Sequence, residues 1–188
     1  MTATAATALA LSGCAGGMSG VDMNSEEPTA TSEAATADFN GADVTFAQMM
    51  IPHHEQAVAM SETILAKDGI DERVRDLATQ IKDAQQPEID QLREWLDDWG
   101  QEESDMDGMN HGGGMMSEEE MTALEDAAGA DAARLFLEQM TVHHEGAIEM
   151  ANAEVQDGEN ADAKAMAETI VATQTEEVTL MQELLASL

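Results

Sequence analysis

The chain has 188 residues, enough for one domain of ordinary size with a tail. Its 39 acidic residues against 7 basic ones give a formal charge of −32. That balance excludes nucleic acid and anionic lipid as surface partners, because phosphate binding needs Lys and Arg.

A single cysteine, Cys14, excludes an internal disulfide framework. The opening stretch MTATAATALALSGCAGG is short, apolar and rich in small residues. It resembles the h-region and lipobox of a bacterial lipoprotein signal peptide, without the usual basic n-region. The expectation is a signal peptide over residues 1–13, a lipid on Cys14 as the only membrane contact, and an extracytoplasmic location. Residues 14–41 are Gly, Ser, Thr, Ala and acid with no apolar period, and are expected to form a disordered tether. No other apolar run approaches the roughly 18–20 residues a membrane span needs.

From residue 42 to 188 the pattern is helical throughout, with sparse β-branched residues and no lasting alternation. Asp43 is the expected N-cap of a first helix running to about Ala66, ended by Lys67-Asp68-Gly69. A second helix runs from about Asp71 to Trp99, with Val74, Leu77, Ile81, Leu92, Trp95 and Trp99 on its apolar line. Gly100 stops it, and residues 101–116, QEESDMDGMNHGGGMM, read as a loop. Ser117-Glu118-Glu119-Glu120 is a capping box opening a short helix to about Ala127. Asp131 is the expected cap of the next helix, to about Gln156. Asp157-Gly158 breaks it, and a last helix runs from about Ala161 to Leu188.

The chain repeats. Phe46, Met50, His53, His54, Glu55, Ala57 and Met60 return 90 residues later as Phe136, Met140, His143, His144, Glu145, Ala147 and Met150. On the second helices, Gln85, Glu88, Ile89 and Leu92 return 89 residues later as Gln174, Glu177, Val178 and Met181. Two duplicated hairpins, about 43–99 and 131–188, with the short helix 117–127 between them, predict an all-α four-helix bundle.

At about 100° per residue, Phe46, Met50, Ala57 and Ile64 share the core face of the first helix, and His53 and His54 flank its centre line. His143 and His144 do the same around Met140, Ala147 and Met150. Met50 can approach either histidine of its pair, and Met60 follows His53 by two turns. Gln85, Glu88, Gln174 and Glu177 fall where apolar residues are expected, which predicts a polar layer facing the histidines. Such a layer has two readings. It can be a hydrogen-bonded network that fixes register, as in a helical interaction module with no metal. Or His53, His54, His143 and His144, supported by Met50, Met60, Met140 and Met150, bind a metal, with Gln85, Glu88, Gln174 and Glu177 orienting the imidazoles.

Imidazole with thioether favours Cu(I) and, by the same softness, Ag(I). Zinc prefers His with Cys or carboxylate. A di-iron centre needs Glu-x-x-His, and neither His pair has a glutamate three residues before it. No nucleophile–base arrangement is present, so no enzyme is expected. In the loop, Met106, Met109, His111, Met115 and Met116 lie among Gly and Asp. Apolar methionines without a packing role there form a second candidate site for soft metal. Pro52 beside His53 is expected to kink the first helix, and Val142 replaces it in the second copy.

The phrase Met50-Ile51-Pro52-His53-His54-Glu55-Gln56-Ala57-Val58-Ala59-Met60, its second copy, and Gln85-Gln86-Pro87-Glu88-Ile89 before Trp95-Leu96 resemble the signature of the domain-of-unknown-function 305 family. The resemblance spans about residues 42–188. It implies a ferritin-like bundle, secreted or lipid-anchored, with copper binding and copper tolerance outside the cytoplasm in some members. Glu176 and Leu184 stand where Pro87 and Trp95 stand in the first half. The resulting expectation is an extracytoplasmic protein that binds Cu(I) for buffering, tolerance or transfer to a copper-transfer partner protein.

Overall fold

The computed structural model describes residues 38–103 and 113–188. Residues 1–37, with the expected signal peptide, Cys14 and most of the expected tether, lie outside the described residues, as do Met106, Met109 and His111. The described residues form five helices and no strand: α1 (Gly41–Leu65), α2 (Glu72–Asp98), α3 (Glu118–Asp126), α4 (Gly129–Asp157) and α5 (Ala161–Ser187). None of them is long and apolar enough to cross a membrane.

Local chemistry sets the helix ends. Asn40, not Asp43, is the N-cap of α1: its side-chain oxygen accepts from the N–H of Ala42 (2.6 Å) and Asp43 (3.3 Å). Asp43 occupies the third helical position and accepts in return from the Asn40 N–H, closing a capping box one turn earlier than expected. Gly69 beyond α1 takes a positive φ of 73°, which only glycine adopts without strain. The Ser117–Glu120 box opens α3 as the spacing predicts. α4 begins at Gly129, before Asp131, and Ala128 gives it no side-chain cap. Asp131 instead lies in the first turn, where an acid suits the helix dipole. α1 continues unbroken through Pro52, so the proline at most bends it.

α1 packs on α2 and α4 on α5, and the two hairpins meet chiefly along α1 and α4. The core divides into two apolar clusters. One joins Ala57, Met60 and Ile64 of α1 to Phe136, Leu137 and Met140 of α4. The other joins Phe46, Met50 and Ile51 of α1 to Ala147 and Ala151 of α4. The start of α1 therefore faces the end of α4, so the two helices run antiparallel. Each fully buried Ile, Leu, Phe or Met contributes about 1.5–3 kcal/mol of apolar transfer. Between the clusters, where α1 crosses α4, neither half is apolar: His53, His54, His143 and His144 fill the gap.

Candidate metal centre

The repeat, folded antiparallel on itself, brings equivalent residues face to face. The rings of His53 and His143 meet with centroids 3.7 Å apart. His144 lies beside His143, with ring centroids 6.4 Å apart. All four imidazoles are buried, none more than 1 % exposed. Burial together with the neighbouring His54 holds His53 down to about 3. His143 is held well below the usual histidine range by burial, then by His53, His144 and His54. Both rings are neutral at physiological pH and can offer lone pairs to a cation.

The hydrogen bonds fix which nitrogen carries the proton. His54 Nε2 lies 2.8 Å from Glu88 Oε2, and His144 Nε2 lies 2.7 Å from Glu177 Oε2, the same pairing in each hairpin. A carboxylate accepts, so Nε2 donates, and in the neutral ring Nδ1 keeps the lone pair. His53 Nε2 donates to the carbonyl oxygen of Gly113 at 2.8 Å, with the same result. The Nδ1 atoms of His53, His54 and His144 are buried and have no partner. Neither nitrogen of His143 has one; the His53 backbone faces the ring without a hydrogen bond of good geometry. Five nitrogens in one layer are thus buried without a protein hydrogen-bond partner. Burying such groups costs about 1–3 kcal/mol each.

The thioethers flank this layer unequally. Met50, Met60 and Met140 are fully buried, Met50 on one side of the histidines and Met60 and Met140 on the other. Met150, the counterpart of Met60, is only partly buried. It lines an open cavity of about 480 Å³ with Phe46, Met49, Gly113, Glu149 and Asp157. Gln85 and Gln174 are buried at the expected level, but their side-chain oxygens have no partner. Among the described residues, no three His, Cys, Asp or Glu side chains converge in a way that would hold a metal ion. The layer suits an ion satisfied by few nitrogens with thioethers completing its shell, and the chemistry of this donor set is soft.

The loop does not conform to its expectation throughout. Met116 is 5 % exposed and packs in the core with Met60, Leu124 and Met140. It has the packing role that a free loop methionine lacks. Met115 borders a shallow surface cavity with Gln56, Glu118 and Met121.

Two features escaped the sequence reading. The first is the hydrogen bond from His53 to a backbone carbonyl, which no residue pattern encodes. The second is a buried pair of acids, Asp43 and Glu154, at the far end of α1. The acidic pattern of the chain hid that pair among many solvated carboxylates.

Other proteins share this architecture. A DUF305 fragment from Deinococcus radiodurans matches with a TM-score of 0.73 and 29% identity, covering 79% of this chain and 98% of its own. A DUF305 protein from Streptomyces coelicolor, described as secreted, matches with a TM-score of 0.71 and 36% identity over 78% of this chain and 91% of its own. CopM in its Cu(II)-bound form matches with a TM-score of 0.69 and 28% identity over 77% of this chain and 96% of its own. CopM is also known in Cu(I)-bound and Ag-bound forms. No curated protein sequence matches the chain. The family model for DUF305, a domain of unknown function, matches residues 43–185, and the chain belongs to that family.

Proposed function

We propose that this protein binds Cu(I), and by the same softness Ag(I), as cargo between its two hairpins. The observation that carries the reading is the set of buried histidine nitrogens without partners at the α1–α4 crossing. A soft ion there would satisfy lone pairs that nothing else in the bundle satisfies. The ion would take only a few of these nitrogens at once, drawn from Nδ1 of His53, His54 and His144 and either nitrogen of His143. Met50 and Met140 supply thioethers from either side, Met60 adds a third, and Met150 stands at the cavity edge. Glu88 and Glu177 orient two of the imidazoles. The Cu(I)-bound and Ag-bound forms of the related CopM support this choice of metal.

On this reading the protein acts as a carrier rather than an enzyme. It buffers copper or passes it to a transfer partner outside the cytoplasm, held there by a lipid on Cys14. The description of the Streptomyces relative as secreted supports that location.

The test is competition for Cu(I) against a chromogenic chelator, with wild type beside a variant carrying alanine at His53, His54, His143 and His144. The expected result is that the variant loses uptake. Equal uptake by both proteins overturns the assignment. If that uptake then disappears on replacing Met106, Met109 and His111, the metal belongs to the loop. If neither protein takes up Cu(I), the layer is a structural network in an interaction module.

A further inference from the structure

The two copies of the motif differ at one telling place. After His-His-Glu the first copy has Gln56 and the second has Gly146. Both residues meet the same short strap, Gly113–Met116. Gln56 grips it at two points: its Nε2 donates to the Met116 carbonyl (2.8 Å), and its Oε1 accepts from the Met116 N–H (2.6 Å). Gly146 forms the floor. A Cβ there would collide with the carbonyl group of Gly113, and a Cβ on Gly114 would collide with the carbonyl oxygen of Val142. Gly113 and Gly114 both take positive φ, 77° and 80°, which lets the strap bend over α4. The strap lies close enough to Met150 that a Cβ on Gly113 would sit 3.7 Å from its Sδ.

The strap so held presents the Gly113 carbonyl to His53 Nε2. It stands to His53 as Glu88 stands to His54 and Glu177 to His144. We propose that Gln56 and Gly146 are positioning residues for the metal centre: they seat the strap so that Gly113 holds His53 in its Nε2–H form, with Nδ1 aimed at the ion. This rests on the reading that the histidine layer binds a soft cation. It adds that the halves of the repeat diverged because a single strap must be gripped by one copy and passed by the other. A carbonyl, unlike a carboxylate, orients His53 without bringing a negative charge into the layer.

The experiment uses the full chain, as wild type, Gln56→Leu and Gly146→Ala. Alanine favours a helix over glycine, so the second variant keeps α4 while displacing the strap. In metal-free protein, two-bond proton–nitrogen NMR reads the tautomer of each histidine. The expected wild-type result is Nε2–H at His53, His54 and His144. Both variants should move His53 to a mixture, with His54 and His144 unchanged on their glutamates. In a silver competition assay both variants should bind Ag(I) about tenfold more weakly. A wild-type His53 protonated at Nδ1, or variants that leave its tautomer unmoved, overturns the strap's role. A shifted tautomer with undiminished Ag(I) affinity overturns the link to the metal. If wild-type protein binds no Ag(I), the functional reading fails, and the tautomer result still decides what the strap does.

Discussion

Glu88 and Glu177 each hold one imidazole proton, and each keeps about a fifth of its side chain in solvent. That exposure leaves each carboxylate partly in contact with solvent while its partner is fully buried. A charged acceptor behind a ligand ring fixes its rotation and raises its basicity. Replacement of Glu88 by Gln, or Glu177 by Gln, keeps an acceptor but removes the charge. The expected loss of Cu(I) affinity is about 10–100-fold for each, read by chelator competition, with the helical circular dichroism unchanged. Affinity within twofold of wild type would reduce both acids to structural partners. These glutamates were legible in the sequence because they break an apolar line at matched places. Gln85 and Gln174 break it too, and their burial was equally legible, yet neither side-chain oxygen finds a partner. Helical spacing assigns a face. It cannot say which of two polar groups one turn apart will reach the ring.

At the level of whole helices, the start of α1 is tied to the turn between α4 and α5. Asn40 caps α1 and also donates from Nδ2 to the Asp157 carbonyl at 2.8 Å. Asp43 accepts from the N–H of Asn160 (2.9 Å) and Glu159 (3.2 Å). Asn40→Ala removes the cap and the tie together, so a destabilisation of about 1–2 kcal/mol is expected in urea unfolding. Below about 0.5 kcal/mol, the junction would carry little weight. Capping was legible to within one turn, because Asn40 and Asp43 are both good capping residues and the spacing alone does not rank them.

The same junction buries Glu154 against Asp43. Burial, then the contact and charge of Asp43, push Glu154 up to about 8, while Lys164 opposes them. Burial would raise Asp43, but the neighbouring Glu154 and hydrogen bonds from the N–H groups of Asn40, Asn160 and Glu159 outweigh it and leave it lowered. Both Glu154 carboxyl oxygens are buried without a hydrogen-bond partner of good geometry, so the raised Glu154 rests on burial and the nearby Asp43 charge. The folded state keeps the Glu154 proton where the unfolded chain has lost it, between the ordinary value of 4.5 and about 8. Stability from this group is full below 4.5 and falls as pH rises toward 8. Thermal melting should therefore drop across that interval in wild type, and Glu154→Gln should flatten the drop. An equal slope in the two proteins would place the pH dependence elsewhere. The pairing was not legible in sequence, because the two acids lie on different helices and only the antiparallel crossing brings them together.

Across the whole molecule, the duplicated hairpins carry nearly all of what the sequence made legible: helix number, inward histidines and the polar layer follow from period and repeat. The contact between equivalent residues does not follow, since a repeat fixes what each half contains but not the angle at which they meet. That contact has a thermodynamic consequence. His53 and His54 belong to the first hairpin and His143 and His144 to the second, so an ion shared among them links two units that otherwise meet mainly along α1 and α4. Ligand that binds only the folded bundle stabilises it by mass action. At free Ag(I) about a hundredfold above its dissociation constant, the gain is about 2.7 kcal/mol, or roughly 5–10 °C in melting temperature for a chain of this size. A site shared by the hairpins requires that His53→Ala and His143→Ala each abolish most of that shift. If one variant keeps the full shift, the ion sits within a single hairpin and the facing pair His53–His143 only packs the crossing. The acidic surface supplies the control. Raising salt from about 0.1 M to about 1 M shortens the screening length from about 10 Å to about 3 Å and relieves self-repulsion. Salt should therefore raise the melting temperature of wild type and of both histidine variants alike, whereas the silver-induced shift should appear in wild type alone.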